Sequence, residues 1–267
     1  MTDKWLCPVC GGGLTAKDGS YRCGAGHCFD IAKSGYVNLI LSNKSLHGDD
    51  REMIRARNRF LEGGYYAPLR DALCEVLRDA LSGAVSPVCL DAGCGECYYT
   101  AGMHDAVGGE MLGIDLSRDA LLIGEKRRAG LELAAASVNA LPLGDGTADS
   151  VISVFAPLCA EEFHRVLKAG GVLIRVIPLA RHLWGMKEVL YEHPYENAEE
   201  RDAPSGFLPL GMRRVEYTAE IDGAHIADLF TMTPYFYRTD RAGREKLAAL
   251  ESLRTEIAFG ILTYRKQ

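Results

Sequence analysis

The stretch Val88-Cys89-Leu90-Asp91-Ala92-Gly93-Cys94-Gly95-Glu96-Cys97-Tyr98 decides the fold. It reads as an apolar strand running into a glycine-rich turn that opens a helix. In a doubly wound sheet that turn is where a nucleotide-like ligand docks. A dinucleotide fold wants glycine or alanine at the position of Tyr98 and meets its pyrophosphate with bare backbone. Here that position is aromatic, and carboxylates stand at Asp91 and Glu96. Two acids repel a pyrophosphate but suit a cation. S-Adenosylmethionine carries a sulfonium, an ammonium and no phosphate, so it fits this loop.

Working outward, the chain alternates helical and strand patterns from about residue 66. Tyr66 to Leu81 reads as a helix, and strands are expected at 88–91, 111–115, near Leu133, at 150–154 and at 172–177. Helices are expected from near Cys97, Ser117 and Ala160. Short apolar runs separated by helices predict an α/β fold with a parallel sheet covered on both faces. Further strands at 212–221 and 259–265 and a helix at 241–254 are weaker expectations. Asp115 ends the second strand, where a carboxylate can accept both hydroxyls of an adenosine ribose. Asn139-Ala140-Leu141-Pro142 follows the third strand and is placed to border the adenine. Gly93 and Gly95 let the backbone approach the ligand. Phe155-Ala156-Pro157-Leu158 ends the fourth strand, where the methyl acceptor must lie. No residue stands out as a general base, and Cys159 reads as a small core residue.

Toward the N-terminus, four of nine cysteines fall within the first 28 residues. The spacing Cys7-x2-Cys10-x12-Cys23-x3-His27 is that of a structural zinc site on two glycine-containing turns. Either His27 or Cys28 can supply the fourth ligand, and an all-cysteine set would also suit an iron–sulfur cluster. A segment this short has too little core to fold easily alone, so a metal would supply the missing stability. The next segment, Arg51 to Leu61, reads as an amphipathic helix with four arginines. Its polar side is either a solvated face or a basic surface for phosphate contacts.

The whole chain of 267 residues has a formal charge of −6, which alone argues against nucleic acid. The charge is unevenly divided. Residues 1–59 hold nine Lys and Arg against six Asp and Glu, and residues 60–267 hold 21 against 30. The acidic excess therefore belongs to the large domain, and the N-terminal part is mildly basic. An apolar fraction of 48% excludes disorder, and no apolar run approaches the ~18 residues of a membrane helix. The first residues lack the apolar core of a signal peptide, so a cytoplasmic location without membrane association is the default expectation.

A zinc module joined to a class I methyltransferase domain resembles the bacterial 23S ribosomal RNA guanine-N1-methyltransferases. The resemblance covers nearly the whole chain. It rests on Cys7-Pro8-x-Cys10 with Cys23-x3-His27, Phe29-Asp30-x-Ala32-Lys33-x-Gly35-Tyr36-Val37-Asn38-Leu39, and Arg57-x-x-Phe60-Leu61-x-x-Gly64-x-Tyr66-x-Pro68-Leu69-Arg70. Asp91-x-Gly93-Cys94-Gly95-Glu96-x-Tyr98-Tyr99-Thr100, Arg181-His182-Leu183 and Met232-Thr233-Pro234 complete it. The resemblance implies that His27 is the fourth ligand and that Tyr66, Gly95, Glu96 and His182 touch the cofactor. It also implies methyl transfer to N1 of a guanine in a 23S ribosomal RNA hairpin near the peptide exit tunnel, homodimers, and zinc modules that help to bind RNA. Cys97 replaces a glycine of the family, and Asn139 a different polar residue. A guanine flipped or unstacked from its loop would be stacked on by an aromatic ring, for which Tyr98, Tyr99 and Phe155 are the candidates. The implied division is a zinc-binding RNA-recognition module over 1–45, a linking helix over 46–65 and the methyltransferase domain over 66–267. Two other readings remain: a small-molecule methyltransferase with a purely structural zinc module, and a non-catalytic module that binds RNA or protein.

Overall fold

The computed structural model describes residues 1–41, 49–127 and 130–267. The expected boundary at residue 45 lies outside the described residues. The chain opens with a three-stranded antiparallel sheet, β1 (Leu14–Lys17), β2 (Ser20–Cys23) and β3 (Cys28–Asp30), followed by β4 (Val37–Asn38). Then come α1 (Arg51–Glu62), α2 (Ala67–Ala80), β5 (Val88–Ala92), α3 (Tyr98–Val107), β6 (Glu110–Asp115), α4 (Arg118–Arg127) and β7 (Glu132–Ala135). The rest is β8 (Ala148–Val154), α5 (Ala160–Val166), β9 (Leu167–Pro178), α6 (Trp184–Leu190), β10 (Phe207–Asp222), α7 (Gly223–Thr231), α8 (Tyr235–Arg238), α9 (Arg241–Ala248) and β11 (Ser252–Lys266).

The large sheet runs β10-β11-β9-β8-β5-β6-β7-β4. Its middle is parallel, as the apolar runs predict, but the sheet as a whole is mixed. β11 pairs antiparallel with both β9 and β10. The expected helix over 241–254 stops at Ala248, because β11 already begins at Ser252 and runs beside β10 along its whole length. Strand order reverses between β5 and β8, which makes the carboxyl ends of these strands the switch point where such folds hold ligands.

Successive residues of a strand face opposite sides of a sheet, and the core divides accordingly. Cys89, Met111, Ile152 and Phe259 face a layer containing Phe60, Leu69, Leu73 and Leu229 from α1, α2 and α7. Leu90, Leu112, Ile114 and Val151 face the other way, toward Phe163 of α5 and toward Trp5, Leu14 and Tyr21 of the N-terminal segment. The small sheet is therefore one of the layers covering the large sheet. Trp5 bridges to Leu143, the Leu6 N–H donates to Pro142 O (2.8 Å), and β4 pairs in parallel with β7.

Candidate active site and metal centre

The N-terminal turns bring together the residues whose spacing suggested a metal. Gly11 and Gly26 adopt φ of +71° and +88°, the left-handed region open to glycine. There the Gly11 N–H donates to Cys7 O (2.8 Å) and the Gly26 N–H to Cys23 O (3.0 Å). The ligand atoms of Cys7, Cys10, Cys23 and His27 all lie within 4.8 Å of one another. His27 Nδ1 is 3.5 Å from Cys7 Sγ and 3.3 Å from Cys23 Sγ, and the sulfurs of Cys10 and Cys23 are 3.7 Å apart. Bond lengths of about 2.3 Å to sulfur and 2.0–2.1 Å to nitrogen separate the ligands of a tetrahedral zinc by roughly 3.4–3.8 Å. The four residues fit that ion. Cys28 is exposed at the start of β3 and stands outside the group, so the geometry gathers His27 rather than Cys28 with the three cysteines.

At the switch point, Asp91 is the penultimate residue of β5 and is 2% exposed. Its Oδ2 accepts the Thr100 hydroxyl at 2.6 Å, and its Oδ1 is buried without a hydrogen-bond partner. Burial pushes this carboxyl up to about 7; the Thr100 bond opposes the rise and the nearby charge of Asp115 adds to it. An orphaned buried acceptor at this place suits an ammonium. Gly93, at φ +90°, passes so close to the segment that follows β8 that a Cβ there would lie 2.6 Å from the Ala156 Cβ. Gly95, at φ +54°, donates its N–H to Asp115 Oδ2 (2.9 Å), and Asp115 Oδ1 accepts from the Ser117 N–H (2.7 Å). Burial raises the Asp115 carboxyl against the pull of those two N–H groups. A carboxylate offers about four lone-pair sites, so two remain for a pair of hydroxyls.

Glu96 differs from the sequence expectation. It is 2% exposed, and its Oε2 accepts from Arg57 Nε at 2.9 Å, so its charge is already balanced. Arg57 also pairs with Asp49, and its Nη2 would meet a Cβ at Gly95 at 3.1 Å. This arginine latches α1 across the ligand loop and is the residue that sequence reading missed. Its position in Arg57-x-x-Phe60 was visible, but its partner lies 39 residues away. Other polar residues of α1 are committed too. Arg51 pairs with Asp119 (2.8 Å) and Arg59 with Asp228 (2.5 Å), while Asn58 and Glu62 bind Arg127. The helix is thus clamped to the catalytic domain more than it presents a basic face, with Arg55 exposed. Cys97, which by the resemblance stands in place of a glycine, takes the left-handed conformation (φ +60°). Its thiol fills the space beside Gly124, where a Cβ would lie 2.5 Å from Sγ.

Tyr66 and His182 meet as a pair, hydroxyl to Nε2 at 3.4 Å. The Ala258 N–H donates to His182 Nδ1 (3.2 Å), which leaves the ring proton on Nε2. Burial, with Lys187 adding, pushes this histidine down to about 3, so it stays neutral. Phe259 lies 4.3 Å from the His182 ring, 5.0 Å from Tyr66 and 5.2 Å from Phe155. Through Phe155 and its neighbour Ala156, this aromatic group reaches Gly93. Asn139 is not part of this aromatic group. Its Oδ1 accepts the Cys159 thiol (2.8 Å), and it lines a cleft of about 510 Å³ between the catalytic domain and Leu6, Cys7 and Leu41 of the N-terminal segment. Among the described residues no helix is long and apolar enough to cross a membrane.

A mixed sheet with its switch point at a glycine loop, an orphaned acid on one strand and a second acid on the next define an S-adenosylmethionine-dependent methyltransferase, here carrying an N-terminal zinc ribbon. Residues 5–44 match the family model described as "RlmA, N-terminal", and residues 89–171 match a methyltransferase domain. The chain is 33% identical to the 23S rRNA (guanine(748)-N(1))-methyltransferase of Streptomyces fradiae, over 88% of this chain and 86% of that protein. It is 32% identical to YxjB of Bacillus subtilis (strain 168), assigned to 23S rRNA (guanine-N(1)-) methylation, over 93% of this chain and 91% of that protein. A demethylmenaquinone methyltransferase of Lysinibacillus sphaericus is 34% identical, but over 32% of this chain and 42% of that protein. The chain belongs to the family of 23S rRNA (guanine-N1)-methyltransferases.

Proposed function

We propose that this enzyme transfers a methyl group from S-adenosylmethionine to N1 of a guanine in a hairpin loop of 23S rRNA. The observation that carries the reading is the extent of likeness. Relatives assigned to RNA methylation match through the zinc ribbon and the catalytic domain together, whereas likeness to a quinone-precursor methyltransferase stops at 97 residues. Exposed Lys17, Arg22 and Lys33 on the ribbon support an RNA-facing role for that layer.

When bound, the cofactor supplies a methyl group already activated by a sulfonium. The protein's work is then alignment and electrostatics. Asp91 Oδ1 would receive the ammonium, and the free lone pairs of Asp115 would receive the ribose hydroxyls. Gly93 and Gly95 keep the loop open to a close-lying ligand, and Glu96 holds the loop to α1 through Arg57. Tyr66 and His182, buried and hydrogen-bonded to each other, would form part of the wall beside the ligand, and Asn139 would border the adenine side. His182 takes no proton, since Nδ1 is occupied and burial keeps the ring neutral. Cys7, Cys10, Cys23 and His27 hold zinc in a structural role. The reading includes a homodimer, which light scattering of the purified protein checks.

The test is incubation with labelled S-adenosylmethionine and protein-free 23S rRNA, followed by digestion to nucleosides. The label is expected in 1-methylguanosine. Label absent from RNA but present on a small metabolite overturns the reading.

A further inference from the structure

Three aromatic residues were candidates for stacking on a base, and the fold separates them. Tyr98 is 6% exposed, and its ring carries the guanidinium groups of Arg70 and Arg127 at 5.4 and 5.3 Å. Tyr99 packs against Tyr98 at 5.1 Å, and its hydroxyl is buried. Phe155 is different. It is 47% exposed at the carboxyl end of β8, beside the switch point. Ala156 next to it closes on Gly93 of the ligand loop.

The backbone of Phe155 is also unusual. It adopts φ +56°, a region that bulky side chains seldom occupy. A small or polar residue would sit there with less strain, and strained residues of this kind gather at ligand sites. The packing explains what the conformation achieves. The ring leans on Phe259, 5.2 Å away at 46°, and Phe259 is in turn fixed by His182 and Tyr66. Phe259 itself is 1% exposed. An apolar ring is thus held at the surface with one side backed by a rigid buried cluster and its remaining area open to solvent.

We infer that Phe155 is the stacking platform for the target guanine, with Phe259 as its backing; this rests on the proposed reading of the substrate. A planar base laid on Phe155 would lie at the strand end that also meets the ligand loop, the place from which a methyl acceptor must approach. Stacking of one base on an aromatic ring is worth about 5- to 150-fold in affinity by alanine substitution. It requires a π face, not merely apolar volume.

The experiment compares Phe155→Ala, Phe155→Leu and Phe155→Trp with the parent enzyme, using protein-free 23S rRNA and labelled S-adenosylmethionine. Transfer kinetics are read together with calorimetric binding of S-adenosylhomocysteine. Phe155→Ala and Phe155→Leu are expected to lose about 5- to 150-fold in kcat/KM for RNA. Phe155→Trp is expected to recover most of it, and all three are expected to bind S-adenosylhomocysteine within about twofold of the parent. Leucine performing as well as tryptophan overturns the inference, because bulk alone then suffices. So does a loss of transfer matched by an equal loss of S-adenosylhomocysteine affinity, which would make Phe155 a prop for the ligand loop. A parent enzyme that forms no 1-methylguanosine defeats the substrate reading instead, independently of how the variants rank.

Discussion

Substituting Gly93 by alanine probes the tightest point of the site. Two penalties are separable there. The first is conformational: at φ +90° an L residue is strained by about 1–2 kcal/mol. The second is steric. A Cβ would lie 2.6 Å from the Ala156 Cβ, while carbon atoms in contact prefer about 3.5–4.0 Å. Overpacking of this kind costs about 1–3 kcal/mol. Gly93→Ala is therefore expected to lower unfolding stability by about 2–5 kcal/mol and to weaken S-adenosylhomocysteine binding, because relief requires the loop to move away from Ala156. Adding Ala156→Gly removes the steric part and should return about 1–3 kcal/mol, less the roughly 0.5–1 kcal/mol cost of a new glycine. Gly146→Ala is the control, since its φ is +61° with nothing within 4 Å of the added Cβ, so only conformational strain applies. Urea unfolding of the four proteins, with calorimetry of S-adenosylhomocysteine binding, reads the cycle. The reasoning is refuted if Gly93→Ala costs no more than Gly146→Ala, or if Ala156→Gly recovers nothing.

Three further outcomes are expected. Asp91 titrates near 7 in the fold against about 3.9 unfolded, so its protonated form favours folding and that contribution disappears as pH rises from about 4 through 7. Asp91→Asn should accordingly gain stability relative to the parent over that window, and calorimetry in buffers of different ionisation enthalpy should show proton release on cofactor binding below pH 7 in the parent but not in the variant. Zinc removal, or Cys10→Ala, should unfold the ribbon and strip Trp5 from the sheet it covers; a red shift of Trp5 emission in a Trp184→Phe background checks this, and an unshifted spectrum at zero bound zinc would contradict it. Reversing Lys17, Arg22 and Lys33 to glutamate should raise KM for RNA and flatten its salt dependence by about 0.7–0.9 per charge removed, with S-adenosylhomocysteine affinity unaltered; an equal loss on both ligands would point to damaged folding instead.

Local patterns carried most of the site. The β5 loop was legible because glycine conformations, an apolar run and the spacing to Asp115 are all short-range signals. The zinc ligands were legible for the same reason, since each pair lies within one turn. Even there, spacing alone left His27 and Cys28 open; the resemblance implied His27, and the fold brings His27, not Cys28, to the other three residues. Glu96 looked like a free acid because its partner Arg57 sits on another helix, and the arginines of α1 left a solvated face and a phosphate surface equally open because Asp119 and Asp228 are distant in sequence.

By itself, then, the sequence determined an α/β fold with a ligand loop, two acids and a metal module, through periodicity and turn chemistry that act over a few residues. Tertiary structure alone decided what those parts face. It made the ribbon a covering layer of the catalytic sheet through Trp5, Leu14 and Tyr21, added an antiparallel pair at the sheet's edge, latched Arg57 onto Glu96, and left Phe155 open where Tyr98 is closed. The physical reason is common to all of these. Burial and ion pairing depend on which surfaces the chain brings together across tens or hundreds of residues, and no short window of sequence contains both partners.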